Sequence, residues 1–206
     1  MEGMRAEVTA GRMEHWFGAD GVTRLPAHLL PPTDLLPHGP SRRFLTAIGL
    51  PADRADLELS LHHDDALPPV TGGLPNTAPG ARRLLVLGEP AYHGSHAVLD
   101  GETGRLEVPA DSFDGESYDG TPLDPYLNRD LSALLCTCWI LQRLQEEWER
   151  WDYGRAGETW RAFDVHSLLL SRMEDLMDHV DPHALEHPGG PWRTTVDDPY
   201  TGGPLG

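Results

Sequence analysis

Histidine is the residue type in this chain whose number and spacing could build a metal site. The chain has eleven histidines, and His179, His183 and His187 recur at every fourth position, as ligands on one helix face do. Pro182 and Pro188 interrupt the segment, so the three imidazoles need not share a face. The sequence contains no HExxH pattern. We therefore expect exposed histidines in this segment and no bound metal.

A second cluster of possible metal ligands consists of His62, His63, Asp64 and Asp65. Adjacent side chains of a rigid element rarely reach one ion, so we expect these residues to keep a loop solvated. A metal-dependent hydrolase that uses this cluster, or the segment from 179 to 187, is the alternative function that the sequence leaves open.

The two cysteines do not indicate catalysis. Cys136 and Cys138 lie in an apolar segment of a predicted helix, where positions i and i+2 point to different faces, which disfavours a disulfide between them. Burial raises the pKa of a thiol and lowers its reactivity, so a structural role is favoured. The sequence has no G-x-S-x-G, P-loop or G-x-G-x-x-G pattern. We expect a protein with neither enzyme activity nor a cofactor.

The segment from 111 to 124 combines acidic and aromatic side chains and contains no basic residue. Acidic residues alone would solvate a loop, whereas aromatic residues among them suit an interface, because they supply anchoring area while charge steers encounter. The rings could equally tuck inward and hold the loop. We expect this loop to bind a partner, with Asp64 and Asp65 as a second contact. The candidate residues of the loop are Asp111, Phe113, Asp114, Glu116, Tyr118, Asp119 and Asp124.

The net charge limits the kind of partner. The chain has 33 acidic residues against 16 basic ones, a net charge of -17. Such a surface repels nucleic acid phosphates and anionic lipids and attracts a basic protein. No apolar run approaches the roughly 18 residues that span a bilayer, and residues 1–5 contain no apolar signal region. We expect a cytoplasmic protein with reduced thiols that binds neither nucleic acid nor membrane.

The first third of the chain predicts short elements that would position these loops. Hydrophobic spacing predicts a helix at about 10–17, an extended segment at 22–25 and a helix at 41–48 with Ser41 as its N-cap. Apolar and polar residues alternate at 57–61, as in a half-buried strand.

The middle of the chain predicts a sheet. The continuous apolar run at 84–87 and the segments 96–99 and 105–108 have the length of strands, and residues 100–104 form a good hairpin connection between the last two. Residues 110–127 are rich in Asp, Gly and Pro and predict a loop.

The last third predicts two long helices. Asn128 is a suitable N-cap for the first, which should run to about Trp151 and bury an apolar stripe. The second should end at Asp181-Pro182, and Trp192 should pack the tail onto the body. The stripe of the first helix is Leu131, Leu134, Leu135, Cys138 and Leu141. The buried face of the second is Val165, Leu168, Leu169, Met173, Leu176, Met177 and Val180.

The order of these elements predicts the fold class. Strands followed by two long helices indicate an α+β fold with a mostly antiparallel central sheet, flanked by the N-terminal helix and the long C-terminal helices. The length suits one domain over 1–206, with a core at about 24–198 and a frayed tail at 199–206.

Several segments carry a family pattern when they are taken in chain order. An F-L pair precedes G-L-P, a strand ending in Asp precedes a Thr-Gly turn, an Asn opens a helix, and D-P-x-A precedes a Trp. In these segments the sequence resembles the SUKH-superfamily immunity proteins, fourth subfamily. The segments are 39–51, 87–89, 98–106, 128–135, 140–148 and 180–192.

The resemblance implies both a fold and a function. The fold would be α+β, with a central sheet packed against helices. The protein would bind and neutralise a cognate polymorphic toxin, often a nuclease or a nucleic-acid deaminase, inside the producing bacterium, without enzyme activity of its own. An acidic inhibitor could occupy the basic cleft of such a toxin.

Overall fold

The computed structural model describes residues 8–51, 84–88, 97–108, 126–154, 159–188 and 190–193. The helices are α1 (Ala10–Phe17), α2 (Gly39–Arg43), α3 (Leu131–Gly154) and α4 (Thr159–Val180). The strands are β1 (Val22–Thr23), β2 (Leu50–Pro51), β3 (Leu84–Gly88), β4 (Ala97–Asp100), β5 (Leu106–Glu107) and β6 (Tyr126–Asn128). A 3-10 turn at Pro182–Leu185 follows α4.

Helix α1 forms over the predicted residues. Thr9 caps it, since its side chain accepts a hydrogen bond of 3.3 Å from the Arg12 amide. Met13 and Phe17 are buried, which places one face of α1 on the core. The extended segment after α1 becomes β1, which pairs antiparallel with β2.

Helix α2 begins earlier than the sequence predicts, so the assignment of Ser41 as its N-cap is wrong. The N-cap is His38, whose Nδ1 accepts from the Ser41 amide at 3.4 Å and lies 2.7 Å from Ser41 Oγ. Pro40 in the first turn explains the earlier start, because a helix needs no N–H donor there. A π-helical turn at Phe44–Ile48 continues from α2 and ends at Gly49.

Strands β3 to β6 form one antiparallel sheet in the order β3-β4-β5-β6. The hairpin between β4 and β5 is confirmed: Asp100 Oδ1 accepts from the amides of Glu102 (2.9 Å) and Thr103 (3.1 Å). Such a side-chain cap stabilises a tight connection. The predicted strand at 57–61 lies outside the described residues.

Strand β6 corrects two expectations at the end of the predicted loop. Residues 126–128 pair with β5, so Asn128 ends a strand and is not the cap of α3. The cap is Asp130, whose Oδ1 accepts from the Ala133 amide at 2.8 Å. A strand of three residues is too short for an alternating pattern, which is why the sequence does not reveal it.

The core lies between the sheet and the helices. All five residues of the predicted α3 stripe are buried. On α4, Met173, Met177 and Val180 are buried, but Leu168 is 69% exposed, so its assignment to the buried face is wrong. At about 100° per residue, Leu168 lies about 140° around the helix from Met173.

The architecture is α+β, as predicted. Among the described residues, no helix is long and apolar enough to cross a membrane.

Candidate functional site

A buried carboxylate lies where β6, the start of α3 and the end of α4 meet. Asp181 is 1% exposed and accepts hydrogen bonds from three neighbours. The Tyr126 hydroxyl lies 2.9 and 3.0 Å from its two oxygens, Asn128 Nδ2 donates at 3.3 Å, and the Arg129 amide donates at 2.7 Å. These donors replace the water that burial removes, which is what makes a buried carboxylate tolerable.

The end of α4 sets the position of Asp181. The Asp181 amide still donates to Met177 O at 2.7 Å, as in a last helical turn. Pro182 then starts the 3-10 turn, in which the Ala184 amide donates to Asp181 O at 3.0 Å. The backbone of Asp181 is thus held on both sides, and its side chain reaches β6.

Asn128 extends the cluster to the last described segment. Its Oδ1 accepts from Trp192 Nε1 at 3.1 Å, while its Nδ2 donates to Asp181. Asn128 is fully buried and Trp192 is 6% exposed. We call Tyr126, Asn128, Asp181 and Trp192 the Asp181 cluster. It joins parts of the chain that lie 53 to 64 residues apart.

A guanidinium and an imidazole contact Tyr126 of the Asp181 cluster. The Arg105 guanidinium lies 4.3 Å from the Tyr126 ring centroid, and the His183 ring meets Tyr126 edge-on at 6.4 Å. His183 Nδ1 donates to Glu186 at 2.7 Å, and this hydrogen bond raises the pKa of His183. Burial, followed by the charge of Asp181, raises the pKa of Tyr126, so its hydroxyl remains a donor at neutral pH.

A groove of about 320 Å³ lies beside the Asp181 cluster, between the last turns of α4 and the segment after it. Pro182 and Leu185 provide apolar surface, and four carboxylates and one guanidinium provide the charge. Arg193 pairs with Glu174, so the remaining charge of the groove is negative. Its lining is Glu174, Asp175, Asp178, Pro182, Leu185, Glu186 and Arg193.

The contact residues predicted from sequence cannot be placed in this geometry. The acidic loop and the His62–Asp65 cluster lie outside the described residues. These residues are Asp111, Phe113, Asp114, Glu116, Tyr118, Asp119, Asp124, His62, His63, Asp64 and Asp65.

The C-terminal histidines have local partners. Helix α4 ends at Val180, so His183 and His187 lie beyond it and do not continue the face of His179. His179 Nδ1 donates to the Asp175 carbonyl at 2.7 Å, and His183 bonds Glu186. Within the described parts of the chain, no three His, Cys, Asp or Glu residues converge as metal ligands would.

The cysteines are buried thiols without a disulfide. Burial raises the pKa of Cys136 to about 11 and that of Cys138 to about 12. Both thiols are therefore protonated near neutral pH and are poor nucleophiles.

The sequence does not reveal the Asp181 cluster, although three of its members carry local signals. Asn128 predicts a helix cap, Asp181 a helix stop and Trp192 a packing anchor. Each assignment concerned local structure, and no local pattern indicates that a carboxylate will meet a tyrosine 55 residues away. The signal that could have found it is the family pattern, which contains the Asn, the Asp-Pro and the Trp together.

Residues 8–198 match the family model described as SUKH-4 immunity protein. The chain belongs to the SUKH-4 immunity protein family. This confirms the resemblance inferred from sequence, and Asn128 of the family pattern bonds both its Asp181 and its Trp192 in the structure. No curated protein and no solved structure matches this SUKH-4 chain.

Proposed function

We propose that this SUKH-4 protein binds a cognate bacterial polymorphic toxin and neutralises it by forming a stoichiometric complex. The match to an immunity family over residues 8–198 carries the proposal. The described chemistry supports it, since the Asp181 carboxylate is fully engaged with donors and the thiols have raised pKa values. The protein would inhibit by occupying a surface of the toxin.

The charge of the chain supports a basic toxin, which we propose to be a nuclease or a nucleic-acid deaminase. An enzyme that acts on nucleic acid needs positive charge to hold phosphates. A protein of net charge -17 is complementary to such a cleft and would not itself bind nucleic acid. The inhibitor would act in the cytoplasm, where the toxin would meet its substrate.

The acidic loop at 111–124 is the proposed contact surface, and Asp64 and Asp65 are a proposed second contact. Exposed charges contribute only about 0.2–1 kcal/mol each, so they would mainly accelerate encounter. Phe113 and Tyr118 would supply the buried anchors that tight binding needs.

We also propose that residues 1–206 form a single immunity domain. Limited proteolysis would test this proposal through the size of the stable fragment.

Binding to the product of the toxin gene encoded next to this protein tests the proposed function. Calorimetry should give saturable 1:1 binding, and the complex should lose toxin activity. An absence of saturable binding would contradict the proposed function.

A second experiment tests the contact surface alone. In one variant Asp111, Asp114 and Asp119 become Asn and Glu116 becomes Gln, and in another Phe113 and Tyr118 become Ala. The first should bind toxin more slowly, and the second should dissociate faster. Wild-type kinetics in both variants would remove the loop from the interface and leave the proposed function standing.

A further inference from the structure

We propose that the outward face of α4, together with the groove at its end, is a docking surface for a basic side chain of the toxin. This inference rests on the proposed function and adds a surface to the one assigned to the acidic loop. We call this surface the α4 face, defined by Leu168, Asp175, Asp178 and the groove residues Pro182 and Leu185.

The α4 face combines an exposed apolar side chain with acidic ones. Among the side chains that the structure describes, Leu168 is the exposed large hydrophobic one, at 69%. Asp175 is exposed and follows Leu168 by seven positions, which places the two within about 20° around the helix and about 10 Å apart along it. An apolar side chain next to charged side chains on one exposed face is typical of an interface, in which an apolar anchor is surrounded by a polar rim.

The groove has the shape and composition to accept an arginine or lysine side chain. Pro182 and Leu185 offer apolar surface to the aliphatic stem, and Asp175 and Asp178, with Glu186 that also accepts from His183, line the same groove and offer carboxylates to the cationic head. The volume of about 320 Å³ leaves room for such a side chain.

One of the two acids of the α4 face stands where the helix disfavours it. Asp178 lies in the last turn of α4, where the negative end of the helix dipole destabilises a carboxylate, and Asp175 lies in the turn before it. No residue that the structure describes forms an ion pair with either of them, whereas Glu174 pairs with Arg193. Exposed carboxylates that the described residues leave without an ion pair are available to a cationic group of a partner.

Charge complementarity selects a basic protein as the occupant. The groove keeps a negative charge after the Glu174–Arg193 pair is formed, and the whole chain carries -17. A buried pairing between these carboxylates and a cation of the toxin would slow dissociation, whereas the long-range field mainly accelerates association.

The test compares two variants of the full chain that remove the same charge. One carries Asp175→Asn and Asp178→Asn, and its matched control carries Asp20→Asn and Asp34→Asn, which are exposed acids of the N-terminal segment. We expect the α4 variant to dissociate from the toxin at least about tenfold faster, with a melting temperature equal to or above that of the wild type. The control should keep the wild-type dissociation rate. Leu168→Ala should also accelerate dissociation.

Each other outcome has a defined meaning. If the wild type binds toxin and the α4 variants dissociate at its rate, the inference is wrong and the proposed function stands. An equal loss in the control variant would assign the effect to net charge and would also overturn the inference. A homodimer of the wild type that Leu168→Ala dissociates would assign the face to a second copy of the chain. If the wild type binds no toxin, the proposed function itself fails.

Discussion

The Asp181 carboxylate links β6, the start of α3 and the end of α4. It accepts from a tyrosine hydroxyl, a side-chain amide and a backbone amide in a place with almost no access to water. Removing the carboxylate removes the acceptor that these three donors share, which costs more than the loss of one hydrogen bond.

Replacing Asp181 therefore gives a sharp prediction about stability. Asp181→Ala should lower the free energy of unfolding by about 3 kcal/mol or more, because buried donors stay unpaired. Tyr126→Phe removes a single donor and should cost about 1–2 kcal/mol. Urea denaturation measures both. A loss of less than 1 kcal/mol in Asp181→Ala would show that the cluster does not hold the segment.

The buried thiols and Tyr126 predict a loss of stability in alkaline solution. Burial in the folded protein raises the pKa of both thiols from 9.0, to about 11 for Cys136 and to about 12 for Cys138. Burial also raises the pKa of Tyr126 above its ordinary value of 10.0. Since the folded state holds these protons more tightly, the stabilisation is complete below the pKa values of the unfolded chain. It is lost as the pH rises through the interval between unfolded and folded values.

The chain has no lysine, so this transition can be measured without lysine titration. The free energy of unfolding should fall above about pH 9. Cys136→Ala should make the decline shallower. A free energy that does not change up to pH 11 would contradict the raised pKa values.

At the scale of elements, the hairpin between β4 and β5 is held against the N-cap of α2. The His38 amide donates to Gly101 O at 3.0 Å, and the His38 ring packs on Gly104. Gly104 has φ +78, a conformation that side chains disfavour, and a Cβ there would collide with the His38 ring. The hairpin and α2 therefore depend on this glycine.

Gly104→Ala should lower the free energy of unfolding by about 2 kcal/mol or more, from both the backbone strain and the collision. Gly11→Ala is the matched control, because Gly11 lies in α1 and no described atom lies within 4 Å of its added Cβ. That change should be neutral or stabilise by up to about 1 kcal/mol. Equal thermal shifts in the two variants would contradict the packing of His38 on Gly104.

The sequence predicted those elements whose signals are local and repeated. Helix α1 and the α3 stripe follow from hydrophobic spacing, and the hairpin follows from its turn residues. Strand β6 is too short to show the alternation of apolar and polar residues that marks a strand. Leu168 belongs to a run of three leucines, and only the packing of α4 shows which of them faces outward. The Asp181 cluster depends on contacts between distant segments, which no single-chain pattern contains.

At the scale of the whole molecule, net charge governs how the protein meets a partner. A chain with a net charge of -17 should bind a basic toxin with an association rate that falls by about tenfold or more between low salt and 0.5 M salt. The dissociation rate should change much less, because it reports short-range contacts. Stopped-flow mixing at several ionic strengths measures both, and a salt-independent association rate would show that charge does not steer the encounter.

The distance along the chain between the partners in the Asp181 cluster has a consequence for how the molecule matures. Asn128 must find Asp181 and Trp192, 53 and 64 residues further on, and closing such long loops is entropically costly and slow. We expect the end of α4 to reach its final position at a late stage of folding, so the neighbouring groove would form only in the fully folded protein. A toxin that binds through this groove would therefore bind folded inhibitor and not partly folded chains.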